Sequence, residues 1–392
     1  MVIIPALDSS ASRNKIITMS KIPLINSAVR VLDLTPGQLN AFLTAISEST
    51  SQAAQILKYI YRENVSNVDE MTGLSDSLKQ KLAKYATLGS LEPVEERVSS
   101  DGQTRKVLFR LEDNSTIEST LMGFRNSSTG HERRTVCVSS QVGCSVGCPF
   151  CATGRQGFER NLSPGEIIEQ VLFFTRRHRI KLTEQGEKKT RSWLTNVVFM
   201  GMGEPLANYN NVCQAVGMLN LPQGMGLGFH QVTISTAGLI PQISQLAKEA
   251  LKFELAVSLH AVNDTLRDRL VPVNRKYPLE QLIAACEGYT RYTGRKVFIE
   301  YALFQGVNDS EKEAEQLVCL LDSLNCSVNL ILGNSITSND FKPSSRETAL
   351  AFQKKLIASG IRTMLRVSRG ADIEAGCGQL RSRWVDSQPR AC

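Results

Sequence analysis

Three cysteines fall within eight residues, Cys144, Cys148 and Cys151, in the run Cys-Ser-Val-Gly-Cys-Pro-Phe-Cys. No further cysteine follows until Cys213, and no histidine until His178. Three thiolates can hold three irons of a [4Fe–4S] cluster and leave the fourth iron without a protein ligand. Such an iron is a reaction site, much as a three-ligand zinc is catalytic where a four-ligand zinc is structural. The C-x3-C-x2-C spacing therefore predicts that S-adenosylmethionine chelates the open iron and is cleaved by one electron to a 5′-deoxyadenosyl radical. A zinc knuckle would want a fourth Cys or His close by. A disulfide framework would want an oxidising compartment, and the chain shows no apolar signal-peptide core. Phe150 is an aromatic that could shield a cluster face or serve as ordinary core. Gly143 and Gly147 would let the loop backbone approach the inorganic core.

Such a loop needs a rigid rim. From residue 134 onward strand and helix signals alternate, with strands expected at 134–140, 196–200, 231–236, 254–260, 297–304, 327–332 and 362–367. The clearest helix start between them is Ser163-Pro164-Gly165-Glu166 before Ile167, Ile168, Val171 and Leu172. Ser163 caps, Pro164 opens the helix and Glu166 completes a capping box. Strands separated by helices imply a parallel sheet. About six such units are too few for a closed eight-unit barrel, so the expected fold is α/β with an open, partial (β/α)6 barrel. Ligands in such folds sit at the C-terminal ends of the strands. The three cysteines follow the first strand and belong to that rim. So do Gly201-Met202-Gly203-Glu204-Pro205, Ser235-Thr236, Ser258-Leu259-His260 and Asn334. A carboxylate such as Glu204 can pair with an amino-acid ammonium. Serine and asparagine suit ribose hydroxyls and a ligand carboxylate, with helix capping as the competing use of each.

The segment 31–95 reads as a small accessory domain of three short helices. Thr35 caps the first and Pro36 opens it; Ile56, Leu57, Ile60 and Tyr61 mark one face of the second. Residues 96–133 read as a β-hairpin about Glu112-Asp113-Asn114, with a polar linker. Residues 134–380 form the catalytic domain, 381–392 a short tail and 1–30 a leader. Of 392 residues 21% are charged and 42% hydrophobic, which describes an ordinary globular chain with no apolar run long enough to cross a bilayer. The net charge is +7, and it is concentrated at Arg176, Arg177, Arg179, Lys181, Lys188, Lys189 and Arg191. That cluster is either a solvated helix end or a patch for nucleic-acid phosphates. The ten cysteines favour a reducing compartment, and the cytoplasm is expected. The leader carries one acid, Asp8, against Arg13, Lys15, Lys21 and Arg30, which leaves organellar import as the alternative.

Two cysteines outside the triplet complete a pattern. Cys137 lies on the first expected strand. Cys377 lies in Gly376-Cys377-Gly378-Gln379, whose glycines suggest a mobile, exposed thiol. Together with the triplet, Val138-Ser139-Ser140-Gln141-Val142-Gly143, the Gly201–Pro205 run, Ser258-Leu259-His260 and Ala375-Gly376-Cys377-Gly378-Gln379-Leu380, they resemble the RlmN/Cfr radical S-adenosylmethionine RNA methyltransferases from about residue 31 to 380. The triplet marks only the wider radical superfamily; the pair is far more specific.

The resemblance implies a [4Fe–4S] cluster on Cys144, Cys148 and Cys151 and two S-adenosylmethionine molecules per turnover. Cys377 would become S-methylcysteine, and its methyl carbon, as a radical, would add to carbon 2 of an adenine. Cys137 would then attack the Cys377 sulfur, free the product and leave a transient disulfide. Glu118 would accept a proton. Gly203, Glu204, Ser235, Ser258, Leu259, His260 and Asn334 would contact S-adenosylmethionine. The implied substrates are an adenosine in 23S ribosomal RNA and, for many members, the adenosine beside the anticodon in tRNAs. The implied reductant is a flavodoxin or ferredoxin, and the enzyme is expected to be a monomer without a membrane. Cfr-type members methylate carbon 8 instead, and the N-terminal helical segment leans toward the RlmN side. From other classes, a radical enzyme acting on a non-RNA substrate would not need Cys137 and Cys377, and a non-enzymatic iron–sulfur or RNA-binding protein would not cleave S-adenosylmethionine.

Overall fold

The computed structural model describes residues 28–125, 132–184, 193–332, 341–366, 370–373 and 376–387. The N-terminal part holds three helices, α1 (Pro36–Ala45), α2 (Ala53–Tyr61) and α3 (Asp76–Tyr85). Thr35 and Gln38 exchange hydrogen bonds across the start of α1, and Pro36 needs no partner there. A short parallel pair, β1 (Val29–Arg30) with β2 (Ala86–Thr87), ties the two ends of this part together.

An antiparallel run follows: β3 (Glu92–Val98), β4 (Thr104–Arg110), β5 (Thr116–Arg125) and β6 (Glu132–Cys137), each paired with the next. The expected hairpin is β4–β5, turning through Asn114 at φ +65°. It extends the main sheet, because β5 pairs with β6. Strand β3 was not foreseen, and it crosses residue 95, where the sequence suggests an end to the helical region.

After β6 the chain makes a small ribbon, β7 (Gln141–Gly143) and β8 (Phe158–Asn161), framing α4 (Ala152–Arg155). Helix α5 (Pro164–Glu184) then returns to β9 (Asn196–Phe199), which lies parallel to β6. The pattern repeats through α6 (Tyr209–Asn220), β10 (Val232–Thr236), α7 (Ile240–Leu246) and β11 (Glu254–Ser258). It continues through α8 (Asp264–Leu270), α9 (Leu279–Thr293), β12 (Val297–Leu303), α10 (Glu311–Leu321), β13 (Cys326–Leu332), α11 (Arg346–Ala358) and β14 (Thr363–Arg366). The chain ends in α12 (Gln379–Ser387). The sheet order is β14-β13-β12-β11-β10-β9-β6-β5-β4-β3, with β14 and β3 at its edges among the described residues. From β6 and β9 to β14 the strands are parallel, so this is the open, partial α/β barrel that the sequence predicts.

One apolar core joins the two parts. Leu32, Phe42 and Ile60 share it with Ile167, Val171 and Ile234. Polar contacts lock the seam: the Asp33 carboxylate accepts the Gly165 N–H at 2.7 Å, and Gln214 donates to the Asp33 carbonyl at 2.7 Å. The basic cluster at the end of α5 looks different in the fold. Arg177 pairs with Glu96 and Arg179 with Glu70, so carboxylates of neighbouring elements hold both. Lys188, Lys189 and Arg191 lie outside the described residues. Among the described residues no helix is long and apolar enough to cross a membrane.

Candidate active site

The triplet loop leaves β7 and is braced by β8. The Cys144 N–H donates to the Gly157 carbonyl at 2.7 Å, and the Cys151 N–H to the Cys148 carbonyl at 3.1 Å. Gly143 has φ +76°, and a Cβ there would stand 2.0 Å from the Gly157 oxygen. The glycine thus permits the close approach of the two ribbon strands. Phe150 packs edge-on to His260, with centroids 5.2 Å apart, and against Phe304 at 5.1 Å. It is both core and cavity wall.

Cys144, Cys148 and Cys151 line one cavity of about 320 Å³ together with Gly203, Glu204, Ser235, Ser258, His260 and Cys377. Gly203 and Glu204, Ser235, and Ser258 with His260 come from the C-terminal ends of β9, β10 and β11, as expected of a parallel sheet. Burial pushes the Cys144 thiol up to about 12 and raises Cys148 as well. No three His, Cys, Asp or Glu side chains among the described residues converge on a point where one metal ion would sit. A cluster asks for something else, three thiols spread around one space.

Glu204 is 3% exposed, and burial moves it up to about 7. Its carboxylate accepts the N–H groups of Leu206 at 2.9 Å and Ala237 at 2.6 Å, which pull the other way. Gln141, absent from the sequence-derived site, holds the Glu204 N–H at 2.8 Å and donates to Asn161 at 2.8 Å. His260 sits at φ +58°, and its Nδ1 accepts the Ala302 N–H at 3.0 Å. Burial, reinforced by the Arg267 cation, lowers it to about 3, so its imidazole is neutral. The Leu259 side chain is fully buried in the core and does not line the cavity. Asn334 lies outside the described residues.

Cys377 and Cys137 meet at a second, smaller cavity of about 90 Å³, lined also by Glu118, Ser119, Thr120 and Met202. Cys377 lines both cavities. It is half-buried rather than the mobile, exposed thiol that its glycines suggest. Thr153 Oγ1 lies 3.2 Å from its sulfur, and Gln156 donates to the Gly378 carbonyl at 3.0 Å. The mutual interaction of the buried Cys377 and Cys151 sulfurs holds Cys151 below its ordinary value despite burial and raises Cys377. Burial pushes Cys137 up to about 12. Gly378 has φ +76°, and a Cβ there would lie 2.3 Å from Thr153 Oγ1 and 2.6 Å from its nitrogen.

Glu118 reaches this segment directly. Its carboxylate accepts the Gly378 N–H at 2.9 Å and the Arg381 N–H. Lys106, which sequence reasoning missed, pairs with Glu118 at 2.7 Å and donates to the Gly376 carbonyl at 2.6 Å. Its only sequence signal is a charged residue on the inward-facing side of a strand.

A three-thiol loop on the C-terminal rim of an open α/β barrel is the layout of a radical S-adenosylmethionine enzyme, and residues 138–318 match the Radical SAM superfamily profile. Residues 29–88 match the profile of the ribosomal RNA large subunit methyltransferase N-terminal domain. The crystal structure of a radical SAM methyltransferase from Sphaerobacter thermophilus aligns with a TM-score of 0.83 at 46% identity, over 90% of this chain and 99% of that one. The dual-specificity RNA methyltransferase RlmN of Syntrophus aciditrophicus is 41% identical over 92% of this chain and 98% of its own length. The probable dual-specificity RNA methyltransferase RlmN of Desulforamulus reducens is 40% identical over 92% of this chain and 97% of its own. The chain belongs to the RlmN family.

Proposed function

We propose that this chain is a radical S-adenosylmethionine RNA methyltransferase that methylates carbon 2 of an adenosine in 23S ribosomal RNA and of the adenosine beside the anticodon in tRNAs. The observation that carries the reading is the position of Cys377 between two cavities. One is lined by the triplet and the Glu204 rim, the other by Cys137 and Glu118. The double specificity follows the names of the relatives. Carbon 2 rather than carbon 8 follows the N-terminal region shared with that family.

The triplet fits a [4Fe–4S] cluster: its thiols share one space with room beside them for a ligand, and metal binding would deprotonate the two that burial keeps as thiols. When bound, the cluster supplies the electron that cleaves S-adenosylmethionine and so starts the radical chemistry. The residues of the chain do the rest. Glu204 receives the ammonium of S-adenosylmethionine, and Gly203, Ser235, Ser258 and His260 wall its site. Cys377 takes a methyl group onto sulfur as the donor's sulfur–carbon bond breaks and the thiol proton leaves. Carbon 2 of adenine is electron-poor and resists a polar methyl transfer, whereas a carbon radical carried on Cys377, formed when the S-methyl group gives a hydrogen atom to the 5′-deoxyadenosyl radical, can add to it. The adduct gives up its unpaired electron, which a bound cluster, one electron short after the cleavage, would take back, and Glu118 accepts the proton that leaves carbon 2. Cys137 then attacks the Cys377 sulfur. The S–S bond forms, the S–C bond breaks, and the electron pair departs with the methylene, which gains a proton to become methyl. The target base must leave its stack to reach this point.

The same reading takes a flavodoxin- or ferredoxin-type reductant, a monomeric enzyme and the cytoplasm, supported by cysteines carried as thiols. Mass spectrometry on Cys137→Ala protein made in cells tests the core of it. RNA should be trapped covalently through a methylene on Cys377. Fully iron-loaded protein with no such adduct would overturn the scheme.

A further inference from the structure

We propose that Lys106 is a positioning residue that holds both flanks of Cys377, through an ion pair shared with Glu118. The proposal rests on the reading of Cys377 as the methyl carrier. Lys106 lies in the middle of β4 and is 0% exposed. In the β4–β5 register Leu108 faces Glu118 and Lys106 faces Thr120. Lys106 and Glu118 are thus diagonal neighbours on one face, within reach of a long side chain. The ammonium contacts the carboxylate at 2.7 Å and the carbonyl before Cys377, that of Gly376, at 2.6 Å. The carboxylate holds the N–H after Cys377, that of Gly378, at 2.9 Å, and the Arg381 N–H at the start of α12.

A lysine is an expensive choice here. Its neighbours Val107 and Leu108 are apolar and fully buried, and an apolar residue would satisfy the packing alone. A buried ammonium persists only where charge and hydrogen bonds compensate it. Two of its compensating partners, Glu118 and Gly376, are the ones that locate Cys377. The segment has two glycines around the cysteine and no strand or helix of its own at that point, so its backbone is positioned from outside. The pair fixes the thiol where both cavities are open to it, and releasing one partner releases the other.

The test uses full-length protein reconstituted with iron and sulfide: wild type, Lys106→Met and Lys106→Arg. Methionine keeps length and packing but loses the charge, whereas arginine keeps charge and donors. Hydrogen–deuterium exchange is followed in peptides covering 376–382, with α9 as the control. Lys106→Met should speed exchange in 376–382 at least ~tenfold, since hydrogen bonds to charged groups are the strong ones, and leave α9 unchanged. Lys106→Arg should restore most of the protection. Unchanged exchange in Lys106→Met would overturn the proposal, and so would acceleration that appears equally in α9 or that arginine fails to correct. A second readout is the methylated fraction of Cys377 in protein made in cells. It should fall at least ~fivefold in Lys106→Met and recover in Lys106→Arg, as expected when a strong contact is lost. If Cys377 carries no methyl even in wild type while the exchange result holds, the clamp stands and the reading of Cys377 as methyl carrier falls.

Discussion

The loop that carries Cys144, Cys148 and Cys151 and the segment that carries Cys377 line the same cavity, yet they are built in opposite ways. The loop is local. Its three thiols lie within eight residues, and its backbone is tied to itself and to the adjoining β8. The Cys377 segment owes its place to residues from β4, β5 and α4, more than two hundred positions away in the chain. A group that must hold an inorganic core through every turnover gains from a self-contained turn. A group that must serve two cavities gains from a few external contacts that can be broken and remade.

Removing one thiol from each side should have the largest effects. Cys148→Ala should abolish cluster absorbance, S-adenosylmethionine cleavage and RNA methylation together. Cys377→Ala should abolish methylation alone and leave both the absorbance and the cleavage intact. Cluster loss in Cys377→Ala would mean that the two sides are not separable. Glycines give a finer cut. Gly147 and Gly378 both have positive φ, but a Cβ at Gly147 meets nothing within 4 Å. Gly147→Ala should therefore cost only the conformational strain, about 1–2 kcal/mol. Gly378→Ala adds a clash with the Thr153 backbone and should cost about 2–4 kcal/mol in urea unfolding, while lowering Cys377 methylation far more than Gly147→Ala does. The smallest effect is that of pH on the rim. The ordinary value of Glu204 is 4.5, and burial moves it to about 7. Between those values the folded protein keeps a proton that the unfolded chain has lost. Stability should therefore fall as pH rises from 4.5 to 7, by up to about 3 kcal/mol in the absence of ligand. A ligand ammonium compensates the ionised form, so affinity for S-adenosylmethionine, measured by calorimetry, should rise about tenfold from pH 6 to pH 8. Glu204→Gln should flatten that profile.

The same contrast explains what was legible in the sequence. The parallel strands are visible because each is a short apolar run between helices with their own start signals. In α5, Ser163 and Glu166 exchange backbone bonds at 3.2 Å and 2.9 Å as their spacing predicts. The rim residues Glu204, Ser235, Ser258 and His260 follow from strand ends alone. Strand β3 was missed because it is an edge with Pro93 and four charges, Glu92, Glu95, Glu96 and Arg97, and charge is what edges use against mispairing. Lys106 was missed because a lysine in a strand ordinarily marks the solvent face. Only the fold brings the far end of the chain to it. For Cys377 the glycines on either side suggested exposure, and tertiary hydrogen bonds overrode that local signal.

The seam between the N-terminal helices and the barrel bears on how the molecule comes apart. Leu32 is fully buried in the same core as Ile167 and Val171, and Asp33 is bonded to the first turn of α5 and to α6. The two parts should therefore lose structure in one cooperative transition, as a single foldon. A fragment beginning at residue 138 would face water with the apolar flank of α5 and would aggregate rather than work as a smaller enzyme. In energetic terms the N-terminal helices are a wall of the catalytic body and not a module that can be exchanged.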